Sequence, residues 1–218
     1  MKKISFLFLA AIWFITGCAD NNGKSVSSTT DTIPGATSSA PSAPIPVHHS
    51  TALQSIMDST VIRMGRMELT NNPTKDFAML MLIHHGGGRK RVHETLENNT
   101  DSGIAKLAKS IEVDLEKEIV QLNRFVIDKR YQKKQNESKA SNELMKAMTP
   151  ASQTSSPTSD SKQEEFPRIM ITYFQTANDM VQVMEENGAD YEISGFAQEM
   201  VARNKSYIEK LKQLAIHH

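Results

Sequence analysis

Residues 76–98 read DFAMLMLIHHGGGRKRVHETLEN, and residues 165–187 read EFPRIMITYFQTANDMVQVMEEN. A shift of 89 residues lays the first on the second, Phe77 on Phe166, Met81 on Met170, Val92 on Val181, Glu97 on Glu186 and Asn98 on Asn187. The match continues through Asp101/Asp190, Ile104/Ile193, Ala108/Ala197, Ile119/Ile208 and Leu122/Leu211. It gives 10 identities in 47 ungapped positions, mostly on an apolar stripe with helical spacing. A lone helical hairpin leaves such a stripe in water. Two copies bury each other, which predicts an all-α fold, a four-helix bundle from two duplicated hairpins. No β-hairpin signal competes.

Working outward, Leu53, Ile56, Met57, Val61 and Met64 keep the helical period and give one extra helix before the repeat, ended by Asn71-Asn72-Pro73. The second helix is expected over about 76–98. The third starts at an Asp101 or Ser102 cap and carries Ile104, Leu107, Ala108, Ile111, Leu115, Leu122 and Phe125. A polar stretch over about 132–165 reads as loop for much of its length, and two more helices follow at about 166–187 and 191–215. The folded body is placed at 50–218, with repeat 1 at about 76–125 and repeat 2 at about 165–214.

The N-terminus carries an address. Residues 1–17, MKKISFLFLAAIWFITG, have a basic start and an apolar run of about a dozen, shorter than the roughly 20 residues a spanning helix needs. They fit a secretory signal. The run ends in Ile15-Thr16-Gly17-Cys18, which resembles a bacterial lipobox, so Cys18 is the expected lipidation site and the chain is expected to be a lipoprotein of the bacterial envelope. Between Ala19 and His49, 20 of 31 residues are Ser, Thr, Pro, Ala or Gly. Residues 18–49 therefore read as a disordered tether reaching roughly 30 Å.

Composition narrows the rest. Lys+Arg and Asp+Glu are both 25, so there is no electrostatic case for nucleic acid. One Cys excludes an internal disulfide framework, and the ten Gly include no phosphate-cradling loop. No Ser or Cys nucleophile stands in a recognisable setting, and hydrolysis has little support.

Polar residues do enter the apolar stripe. Phe77, Met81, His84, His85, Gly88 and Val92 share one sector of the helical wheel, and Glu118 lies in the middle of the next helix's stripe with Asp114 at its edge. A carboxylate buried alone costs several kcal/mol, so Glu118 needs a partner, and the two imidazoles are candidates. Two readings stand. A protonated His pairs with Glu118 and fixes helix register, or Met81, His84, His85 and Glu118 hold a metal. Imidazole with thioether suits copper, Cu(I) especially, while a carboxylate draws toward zinc or Cu(II). In the second copy these positions become Tyr173, Phe174 and Tyr207, so the first copy is expected to carry the chemistry and the second to be scaffold.

His93 lies off this sector and reads as a surface residue. Gly86-Gly87-Gly88 implies either close helix approach or a local opening, since each Gly costs about 1 kcal/mol relative to Ala in a helix. The pairs His48-His49 and His217-His218 read as solvated ends. Met57, Met64, Met81, Met170, Met180, Met184 and Met200 mostly sit on the stripe, as core filler or as soft ligands.

Asp76-Phe77, Met81, His84-His85, Leu107-Ala108, Ile111, Glu118-Ile119, Leu122 and Phe125 together resemble the bacterial ferritin-like family of domain of unknown function 305. The resemblance implies a secreted, duplicated four-helix protein, with copper- or silver-binding relatives that use Met and His. Leu115, Gly88 and Arg91 stand where that pattern has Gln, Ala and Met, which implies reduced metal capacity. Di-iron chemistry is not expected, because the chain has no Glu-x-x-His. The expected function is thus a non-enzymatic envelope lipoprotein that binds metal, copper foremost, for buffering or tolerance. The alternative is a helical interaction or structural lipoprotein without metal.

Overall fold

The structure is a computed structural model that describes residues 51–99, 101–132, 139–147 and 162–216, all within one compact unit, Pro46–His218. The expected signal peptide, Cys18, the expected tether and the histidine pairs at 48–49 and 217–218 lie outside the described residues.

The helices start where the sequence supplies caps. Thr51 Oγ1 accepts from Gln54 N ahead of α1 (Ala52–Gly65), and Asn72 Oδ1 accepts from Lys75 N ahead of α2 (Pro73–Asn98). Asp101 Oδ1 accepts from Ile104 N at 2.8 Å ahead of α3 (Ser102–Ile127). Each closes one of the free N–H groups of a first helical turn. A 3-10 turn at Lys129–Tyr131 follows α3, then α4 (Lys139–Ala147), α5 (Lys162–Glu186) and α6 (Tyr191–Ile216). Gly188, with φ +76°, ends α5 in the left-handed conformation that glycine adopts without strain.

Among the described residues the protein is all helix, as the periodicity predicts. Three features differ. α2 begins at Pro73, three residues before Asp76. α5 begins four residues before Phe166 and runs through Pro167. The stretch over 132–165 also contains α4, held by burial of Ala140 and Leu144 one turn apart and by Ser141, whose Oγ donates to Asp76 Oδ2 at 2.6 Å. Asp76, fully buried on α2, also accepts from Thr70 N and Thr70 Oγ1, so one carboxylate ties α4 and the α1–α2 connection to the repeat. No described helix is long and apolar enough to cross a membrane.

α2 lies along α3 and α5 along α6, the two hairpins expected from the repeat. They face each other through α2 on α5 and α3 on α6, while α1 packs on α2 and α5. The apolar core falls into two clusters, and each long helix of the repeat passes from one to the other. α2 contributes Met81 to one and Val92 to the other, α3 Leu122 and Leu115, α5 Ala177 and Phe174, and α6 Met200 and Tyr207. Between those residues lie His84 and His85, Glu118, and Arg203 with Asn204. The polar residues of the stripe therefore form a layer between two apolar layers.

Candidate functional site

The layer is a chain of contacts that visits four helices. The Tyr173 hydroxyl on α5 is hydrogen-bonded to His85 Nδ1 on α2 at 2.9 Å. On the other side of the ring, His85 Nε2 faces Glu118 Oε2 on α3 at 2.8 Å. This contact is off the N–H direction, so it is a close polar contact more than an aligned hydrogen bond. Glu118 Oε1 then accepts from Arg203 Nε and Nη2 on α6, at 3.0 and 2.7 Å. His85 and Glu118 are buried, and Arg203 reaches in from the surface.

His84 takes a different part. Its Nε2 donates to the backbone carbonyl of Tyr173 at 3.1 Å, and its ring stacks on the Tyr173 ring, centroids 4.1 Å apart and planes within 2°. Arg91, seven residues on and so on the same helix face, lies 5.4 Å over that tyrosine ring and is fully buried. Burial pushes His84 well below the ordinary imidazole range, and the charges of His85 and Arg91 push the same way, against the Tyr173 carbonyl. Burial likewise raises the Tyr173 hydroxyl, with the Glu118 carboxylate adding to it.

The contacts carry the mark of the duplication. His84 and Tyr173 occupy equivalent positions and touch each other. Asp114 and Glu118 are equivalent to Arg203 and Tyr207, and they pair crosswise: Glu118 with Arg203, and Asp114 with Tyr207, whose hydroxyl donates at 2.8 Å. The second copy is thus more than apolar scaffold, contrary to the expectation, because tyrosines that replace His84 and Glu118 keep a hydroxyl that reaches the other hairpin.

The glycines serve close approach. A Cβ at Gly87 would collide with the Thr60 side chain on α1, and one at Gly88 would stand 2.7 Å from the Tyr173 hydroxyl, whereas Gly86 faces open space. His93 is exposed and pairs with Glu97 at 3.1 Å on the surface, as its wheel position implies.

Of the four residues expected as metal ligands, His85 and Glu118 come together and both imidazoles point inward. His84 Nε2 is held by a carbonyl, and Met81 belongs to the apolar cluster on one side of the layer. Among the described residues no three His, Cys, Asp or Glu side chains gather as a cation requires. A metal bonded to both His85 and Glu118 at 2.0–2.2 Å would hold their donor atoms roughly 3.4 Å apart in tetrahedral geometry. They stand at 2.8 Å. The fixed charge of Arg91, which disfavours a proton on His84, disfavours a metal cation there for the same reason. As arranged, the set does not fit a metal. Sequence reasoning did not name Tyr173 or Arg203 as partners; the signals were their equivalence to His84 and Asp114.

The fold and this layer define an all-helical domain from two related hairpins with a Tyr–His–Glu–Arg chain across them, buried as far as its partly exposed arginine. A family model, the domain of unknown function DUF305, matches residues 74–215, and the chain belongs to that family. No curated protein and no solved structure matches it.

Two outcomes follow. Gly88→Ala destabilises the protein by about 1–3 kcal/mol through overpacking against Tyr173, whereas Gly86→Ala stabilises it by about 0.5–1 kcal/mol. Urea unfolding checks both, and equal effects would contradict the assignment. The second concerns pH. The folded state keeps His84 neutral while the unfolded chain takes up a proton below about pH 6.5, so stability falls as pH drops through that value and is unaffected above it. Between pH 7.5 and 5.5 the protein should lose about 1.4 kcal/mol more than His84→Asn does. Equal losses would refute it.

Proposed function

We propose that this chain is a non-catalytic helical module of the bacterial cell envelope, anchored by a lipid on Cys18, with its body outside the cytoplasm in the periplasm or at the cell exterior. In this reading its helices form a ferritin-like four-helix bundle with one helix added in front. The buried polar layer sets the register of the two hairpins. The observation that carries it is the unbroken path from Tyr173 through His85 and Glu118 to Arg203, which engages both nitrogens of His85 and both oxygens of Glu118. A site so occupied by its own protein behaves as a structural lock.

A second reading keeps the copper expectation, with Met81, His84, His85 and Glu118 as ligands after rearrangement. Met64, Met81, Met180, Met184 and Met200 are all buried in one cluster, a concentration of the thioethers that suit Cu(I).

A Cu(I) titration of the protein against a competing chelator, beside the His84→Ala/His85→Ala variant, separates the two. The structural reading expects neither protein to compete and the variant to melt roughly 6 °C or more lower, since breaking a buried pair costs about 3–5 kcal/mol. Tight binding that the variant loses would replace it with the metal reading.

A further inference from the structure

Beside the layer, α1, α2 and α5 enclose a cavity of about 10 Å³, room for the centre of one water-sized sphere, bounded by Thr60, Met64, His84, Arg91, Tyr173 and Thr176. Arg91 Nε and Nη1 are buried without a hydrogen-bond partner among the described residues. Around it, Thr60 Oγ1 donates to Ile56 O, Thr176 Oγ1 to Thr172 O, and His84 Nε2 to Tyr173 O. Tyr173 turns its hydroxyl to His85. Burial lowers the Arg91 pKa only to about 10, so the guanidinium is charged at neutral pH. Asp58 on α1 acts on it from a distance but forms no ion pair with it among the described residues, and is instead hydrogen-bonded by Gln54 at 2.9 Å. Glu118 is taken by His85 and Arg203. A buried cation left in this state costs several kcal/mol.

We propose that this cavity is a binding site for one monoatomic anion, chloride under ordinary conditions, held by Arg91 Nε–H and Nη1–H. Water there would meet the hydrogen bonds and leave the charge uncompensated; a halide does both. The room for a single sphere excludes phosphate and sulfate, and Met57, Val61 and Met64 give the polarisable, apolar wall that a weakly hydrated halide tolerates better than fluoride or hydroxide. Arg91 is fixed by its place over Tyr173, so the site is preformed. It also accounts for an arginine on the core-facing side of α2, where an apolar residue would otherwise pack.

The test uses the full chain in detergent. Crystals grown in bromide should show one anomalous peak in the cavity, within hydrogen-bonding distance of Arg91 Nε and Nη1. Replacing gluconate with chloride at constant ionic strength should raise the melting temperature by roughly 5–10 °C once chloride stands a hundredfold above its Kd. Arg91→Met should not respond. A water without bromide in the cavity, or a chloride effect that persists in Arg91→Met, would overturn the proposal.

Discussion

A carboxylate in the middle of an apolar helical stripe must be compensated, and Glu118 imposes that demand on the whole body. Its two oxygens are met from two directions, by His85 of its own hairpin and by Arg203 of the other. His85 in turn is fixed from its far side by Tyr173. Apolar packing above and below is non-directional and tolerates sliding. The polar layer does not, because a shift of one helical turn would break several buried contacts together. The hydrophobic clusters supply most of the driving force, and this layer selects one alignment of the helices from those that would bury similar area.

The duplication explains how such a layer can arise. In a symmetric pair, equivalent residues near the axis meet one another or meet crosswise. His84 against Tyr173, and Asp114 and Glu118 against Tyr207 and Arg203, follow that rule. The copies have diverged chemically while keeping complementarity: an acidic pair in one faces a cation and a phenol in the other. Gly87 and Gly88 belong to the same design, because they let α2 approach Thr60 and Tyr173 closely.

Much of this was legible in the sequence, for a physical reason. Helical periodicity and the 89-residue repeat depend on local spacing, and they gave the helices and the hairpin pairing. The inward direction of His84 and His85 and the need of Glu118 for a partner also follow from the wheel. Partners in three dimensions were less legible. Arg203 looks like one more surface cation until α6 is laid beside α3, and Tyr173 looks apolar until its hydroxyl is placed. α4 was hidden because it is only nine residues long with few large apolar side chains in a polar stretch, and its docking depends on Asp76, 65 residues from Ser141.

The central claim is that Tyr173, His85 and Glu118 act as one unit across the hairpins. A double-mutant cycle of Tyr173→Phe and Glu118→Gln, measured by urea unfolding, tests it most directly, because these two residues contact opposite nitrogens of the same ring. The account predicts a coupling of about 1 kcal/mol or more. Losses that add to within about 0.3–0.5 kcal/mol would show two independent contacts and contradict the account.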